Sequence, residues 1–268
     1  MITSRLQVMP SHAIVEQNSI NYIKFIASLP RFEVREDQDV FWISADAPVF
    51  YFNSVFNARL NGIAEEKIEK ISQFFRGRRD WFTWHIIPSS QPDNLAELFI
   101  ARGAELLESL PYMAVNLQDI QRDFAVPPDF RWTVVRTHDA LAAWTSIYCH
   151  ARGYPESAYK LFNIFADLDL AEESPYQLIL GYLGDTPVST YSVFMDGDTA
   201  GFYSLTTLPE ARGHGIGTAI SIAAAELAAE RGYQIATLLS ESPSRNICKR
   251  LGFMDGFGDM NIYRLSSR

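Results

Sequence analysis

Apolar residues recur with two periods along the carboxy-terminal half of the chain. Residues 132–135 alternate apolar and polar, as a half-buried strand does. Residues 138–152 and 157–168 instead carry apolar side chains every three to four positions, as on one face of a helix. Two strands, 177–183 and 187–194, are predicted to meet at Gly184-Asp185-Thr186, with Asp196-Gly197-Asp198 as the next turn. An extended stretch over 200–208 precedes an Ala-rich helix over 216–230 and a strand over 233–239. The breaker Ser240-Glu241-Ser242-Pro243, a short helix to Arg250, Leu251-Gly252 and a strand near 261–265 complete the order. This succession of strand, two helices, three strands, loop, helix, strand, helix, strand predicts a mixed α/β domain built on a mixed (α+β) sheet.

The amino half repeats part of that plan. A strand is expected over 50–55, a helix over 68–75, a strand over 81–87, the turn Ser89-Ser90-Gln91-Pro92, a helix over 95–101, Arg102-Gly103 and a strand over 112–117. The parallel order suggests a distant internal repeat. Residues 119–129 hold Pro127-Pro128 and several charges between two apolar runs, so a linker is expected there, with domains 1–126 and 127–268.

Composition narrows the class. The chain has 268 residues, 47% hydrophobic and 13% aromatic, enough for packed cores. A formal charge of −9 argues against non-specific nucleic-acid binding. The local cluster Arg76-Gly77-Arg78-Arg79 reads as a solvated helix end. Two cysteines, Cys149 and Cys248, are too few for a disulfide framework or a zinc site, so no metal is expected. The start, Met1-Ile2-Thr3-Ser4-Arg5-Leu6-Gln7, leads into no signal-peptide core, and no apolar run approaches the roughly 20 residues that span a bilayer. A cytoplasmic location without membrane association is the expectation.

Candidate chemistry concentrates in Arg212-Gly213-His214-Gly215-Ile216-Gly217-Thr218, between the extended stretch and the Ala-rich helix. Glycines at alternate positions let successive N–H groups converge on an anion, and the helix N-terminus adds its dipole. A Walker loop requires a Lys that does not follow Gly217. The dinucleotide fingerprint requires Gly-x-Gly-x-x-Gly, whereas the spacing here is Gly-x-Gly-x-Gly. The bland alternative is a tight strand-to-helix turn that binds nothing.

The run Arg212–Gly217 resembles the acyl-CoA loop, Arg/Gln-x-x-Gly-x-Gly/Ala, of the GNAT superfamily of N-acetyltransferases, and Lys249-Arg250-Leu251-Gly252-Phe253 resembles its Tyr-x-x-Leu-Gly-Phe segment. The resemblance is specific over about residues 131–265. The amino half, with Asn57-Ala58-Arg59-Leu60-Asn61-Gly62 where the loop belongs, is identified as a degenerate half of a tandem GNAT-like chain. The resemblance implies acetyl-CoA as cosubstrate. Its pyrophosphate would lie on Arg212, Gly213, His214, Gly215, Ile216, Gly217 and Thr218, and its pantetheine arm against backbone groups of Leu205, Thr206, Thr207 and Leu208. It also implies direct acetyl transfer, in a ternary complex, to a primary amine of a small molecule or peptide, by a monomer or homodimer.

The family's acid, a Tyr four residues before the Gly of Leu-Gly-Phe, is replaced by Cys248. Cys248 is therefore a candidate proton donor, a candidate acyl acceptor, or a small buried residue. Tyr203 and Tyr263 are alternative acids. Glu241, Glu172 and Glu173 are candidate bases, and a water chain could replace them. His214 is expected to offer its amide, and His150 to sit at a helix end. A non-catalytic acyl-CoA-binding or regulatory module is the competing function.

Overall fold

The computed structural model describes residues 9–46, 50–154, 158–242 and 244–267. Met1 to Gln7, Ser157 at the expected helix start and Pro243 of the expected turn lie outside them. In chain order the elements are α1 (His12–Ala27), β1 (Glu33–Glu36), β2 (Phe41–Ser44), β3 (Asn53–Phe56), α2 (Ala64–Phe75), β4 (Trp81–Ile86), α3 (Leu95–Ala101) and β5 (Glu105–Asn116). There follow β6 (Phe130–Val134), α4 (His138–Ala151), α5 (Ala158–Phe165), β7 (Tyr176–Leu183), β8 (Thr186–Asp196), β9 (Thr199–Thr207), α6 (Ile216–Glu230), β10 (Ile235–Leu239), α7 (Arg245–Arg250) and β11 (Asp259–Ser266). No helix among the described residues is long and apolar enough to cross a membrane.

Two compact units emerge. The first consists of Met1–Tyr22 with Tyr112–Phe257, the second of Ile23–Pro111 with Gly258–Arg268. They differ from a single cut near residue 126: most of α1 groups with the carboxy-terminal residues, and β11 with the amino-terminal ones. Strand pairing supplies the reason. β11 lies between β4 and residues 105–111 of β5, while residues 112–116 of β5 pair with β10. In each unit, the strand beside the parallel pair is delivered by the other half of the chain.

Within the first unit the strand order is β5, β10, β9, β8, β7, β6. All neighbours are antiparallel except β9 and β10, which α6 connects in parallel. α6 is buried almost all round. Its alanines let the helix lie close to the sheet, and its core contacts include Ile179, Tyr191, Val193, Phe202, Leu238 and Phe253. α4 begins where the Thr137 hydroxyl accepts a hydrogen bond from Ala140 N at 3.2 Å, satisfying an amide the helix start leaves unpaired.

Within the second unit the order is β1, β2, β3, β4, β11, β5, again antiparallel except for the parallel pair β3 and β4. Its core gathers Trp84, Phe82, Phe75, Phe99, Ile68 and Leu95. Both units thus share the plan of an antiparallel run, a helical crossover and a parallel strand.

Candidate active site

The glycine-rich run forms a short 3-10 turn, Pro209–Ala211, that leads directly into α6. Gly213 and Gly215 have φ of +80° and +82°, the left-handed conformation that an L side chain resists. Gly215 is the N-cap of α6 and has no side chain to cap it. Among the described residues, none of the amides from Gly213 to Thr218 donates to another backbone group; the first to do so is Ala219, to Gly215 O. The main chain is exposed from Gly213 to Gly215. These successive amides at the positive end of a 15-residue helix form a ready-made anion site. Arg212 clamps the loop in place: its Nε donates to Thr207 O at 3.0 Å and its Nη2 to Ala151 O at 3.1 Å. His214 Nδ1 lies 3.4 Å from Ala211 O, within the loop.

β9 runs parallel with β10 only from Thr199 to Phe202. Beyond Phe202 β9 stays with β8, and a bulge interrupts that pairing between Thr190 and Ser192. Ser204 takes φ +59° there, one of two non-glycine residues with positive φ among those described. β9 and β10 therefore part beyond Phe202, at the end of β9 that leads into the turn before α6. Alternation of trans peptides sorts the four residues expected to meet a pantetheine arm. Thr206, in register with Thr190, and Leu208, whose N–H donates to Val188 O at 2.9 Å, are committed to β8. Leu205 and Thr207 direct main-chain groups away from β8, toward the divergence. Leu205 and Leu208 are both half-buried, and Leu205 packs against the core.

Cys248 and Tyr203 lie on opposite faces of this sheet. Cys248, on α7, is buried in the core that packs on α6 and Phe202, and burial pushes its thiol up to about 11. Tyr203, the next residue after Phe202, points the other way. Its ring stacks on Tyr22 with centroids 3.9 Å apart, its hydroxyl donates to Asn18 Oδ1 at 2.8 Å, and burial raises its pKa. Glu241 follows β10, and its carboxylate accepts two hydrogen bonds from Arg152, at 2.9 and 2.6 Å. Tyr148 adjoins this pair, and burial pushes its phenol up to about 12. Tyr263 belongs to the core of the second unit, against Phe99. Glu172 and Glu173 are exposed, as is His150 at the end of α4.

Residues that periodicity and motifs did not single out surround the bulge: Asn18 and Tyr22 of α1, Tyr176 of β7, and Thr190 and Ser192 of β8. Their signal is cross-strand register, which one strand's pattern does not carry.

The second unit handles the corresponding place differently. β3 and β4 pair only at Ser54 with Thr83 and Val55 with Trp84. The chain beyond them closes again: Leu60 N donates to Gln91 O and Gln91 N to Ala58 O, both at 2.9 Å. Ala58 and Leu60 are fully buried there.

The first unit is thus a mixed α/β domain with a bulged strand, a parallel neighbour whose pairing with it ends at Phe202, and an amide-lined turn into the intervening helix. Residues 138–253 match the model of the acetyltransferase (GNAT) family, and this stretch of the chain is a GNAT-family domain. No curated protein matches the sequence. Among solved structures, the fold is similar to a GCN5-related N-acetyltransferase from Kribbella flavida, at 15% identity and TM-score 0.71, covering 96% of each chain. A tandem GNAT protein from the clavulanic acid biosynthesis pathway gives 15% identity and TM-score 0.62 over 92% of this chain and 88% of that one. A GCN5-related N-acetyltransferase from Sphaerobacter thermophilus gives 15% and 0.63 over 93% and 86%.

Proposed function

We propose that the first compact unit is an acetyl-CoA-dependent N-acetyltransferase that acts on a primary amine of a small molecule or peptide by direct attack in a ternary complex. The observation that carries this reading is the run of amides over residues 213–218, unpaired with backbone among the described residues and set at the start of α6, after the point where β9 and β10 part. The loop would hold the pyrophosphate, with Arg212 fixing its shape. Main-chain groups of Leu205 and Thr207 would hold the pantetheine arm. Attack needs a neutral amine, a proton acceptor, and a donor for the departing thiolate. Glu241 is the proposed acceptor, because it lies at the end of β10 where that strand diverges from β9. Cys248 is the proposed donor: a thiol raised to about 11 keeps its proton at neutral pH. The same burial argues against an acyl-Cys248 intermediate, which requires the thiolate. Tyr203 is the less favoured donor, its hydroxyl being engaged with Asn18.

The second unit is proposed to hold no CoA, on the support of its resealed strands at Ala58, Leu60 and Gln91.

A non-catalytic acyl-CoA-binding module remains the second reading, favoured by the substitution of a buried Cys248 for the family's tyrosine. Thiol release from acetyl-CoA, followed across a broad panel of primary amines, separates the two. Amine-dependent release supports the transferase, and acetyl-CoA binding without release for any amine supports the module.

A further inference from the structure

Two chains of side-chain hydroxyls end on the two successive carbonyls of the β9 bulge. In one, Thr206 Oγ1 lies 2.6 Å from Thr190 Oγ1, which donates to Ser204 O at 2.9 Å. In the other, the Tyr176 hydroxyl donates to Ser192 Oγ at 3.1 Å, and Ser192 Oγ donates to Tyr203 O at 3.1 Å. A hydroxyl has one proton to give, so the direction of each chain is fixed from its far end: Thr206 donates to Thr190, and Tyr176 donates to Ser192. Tyr22, 3.4 Å from the Tyr176 hydroxyl, sits at the head of the second chain. Thr190, Ser192, Thr206 and Tyr176 are all buried, so water does not compete for these bonds.

The consequence follows from peptide geometry. In a trans peptide the N–H points opposite to the preceding C=O. With the carbonyls of Tyr203 and Ser204 both turned toward β8, the N–H groups of Ser204 and Leu205 both turn away from it. A regular strand would alternate them; the positive φ of Ser204 is what aligns two neighbours. They face the side on which β10 has stopped pairing with β9, since that pairing ends at Phe202. A pair of aligned main-chain donors at such a place is suited to a carbonyl oxygen that gains negative charge.

Resting on the acetyl-CoA reading above, we propose that Thr190 and Ser192 are positioning residues: they hold the β9 bulge so that the Ser204 and Leu205 amides polarise the thioester carbonyl of acetyl-CoA. They touch no reacting atom and act only through the bulge. Tyr176 orients Ser192 in turn.

The probe is acetyl-CoA carrying a ¹³C-labelled thioester carbonyl, bound to the full chain and followed by isotope-edited infrared spectroscopy, with affinity measured in parallel by calorimetry. In the wild type the bound carbonyl stretch is expected at lower frequency than in solution. Thr190→Val and Ser192→Ala are each expected to lose much of that displacement, with affinity kept within about twofold because the pyrophosphate contacts are untouched. Thr190→Ser, which keeps the hydroxyl, is expected to retain it, and serves with Ser192→Ala should Thr190→Val fail to fold. A displacement unchanged in folded Ser192→Ala and Thr190→Val, or no displacement in wild type that binds acetyl-CoA, overturns the positioning role and leaves the acetyl-CoA reading standing. Failure of the wild type to bind the labelled compound overturns the reading itself.

Discussion

At the scale of single residues, burial decides what each ionisable group can do. Cys248 keeps its proton, so incubation with acetyl-CoA is expected to leave the protein's intact mass unchanged. Cys248→Ala is expected to keep acetyl-CoA affinity within about twofold and to lose about 1 kcal/mol of stability for the small void it opens. A mass increase that disappears in Cys248→Ala would contradict this assignment. His85, in the second unit, packs against the Phe56 ring and Met260, and burial pushes its imidazole down to about 3. In the unfolded chain it takes up a proton below about pH 6.5, while the folded protein leaves it neutral down to about pH 3. The unfolded state then binds more protons, so this residue's contribution falls as pH falls through that window. The slope approaches about 1.4 kcal/mol per pH unit. Urea denaturation of wild type and His85→Leu at several pH values measures it as the difference between the two slopes. Parallel pH dependence in both proteins would contradict the assignment.

At the scale of elements, α1 shows what a hydrophobic pattern leaves out. The strands and helices from residue 130 onward announce themselves by apolar periodicity and turn residues, and α6 does so from Ile216 to Glu230. α1 does not, because part of its buried face is polar: Glu16, Asn18 and Ser19 are all buried. Asn18 donates to Thr199 Oγ1 at 2.8 Å while accepting from Tyr203, and Ser19 meets the Tyr112 hydroxyl at 2.9 Å. β2, Phe41–Ser44, escapes for a different reason, since four consecutive residues with three buried carry no alternation. The hydroxyl chains at the β9 bulge were illegible too; they depend on the register of three strands. The glycine-rich turn into α6 was legible because its residues are contiguous in the chain. Asn18→Ala leaves the Tyr203 hydroxyl and Thr199 without this partner, and is expected to cost about 1–3 kcal/mol in thermal or urea denaturation. Gly201→Ala places a Cβ 1.9 Å from Asn18 Oδ1 and 2.6 Å from the Tyr203 ring, and is expected to cost about as much or more. Neutral outcomes in both would mean that α1 does not pack as described.

At the scale of the whole molecule, the exchange of terminal segments makes the chain's two halves interdependent. A fragment beginning at residue 127 retains the glycine-rich turn into α6 yet lacks residues 112–116, which pair with β10, and the α1 residues that cover Tyr203. It is expected to be unfolded or aggregated by circular dichroism and size-exclusion chromatography; a folded, monomeric fragment would contradict the division into units. The tandem plan was visible in the repeated element order. The exchange was not, because nothing in a strand's own sequence names its partner across about 180 residues, as β11 finds β4. Calorimetric titration of acetyl-CoA into wild type and His214→Glu tests the proposed role of the turn into α6 as the pyrophosphate site. His214 is exposed and lies between the two left-handed glycines, so the variant adds a negative charge beside the amides with little effect on folding. Saturable binding to the wild type is expected, weakened at least about tenfold in the variant by like-charge repulsion. Equal binding by both proteins, or none by the wild type, would contradict it.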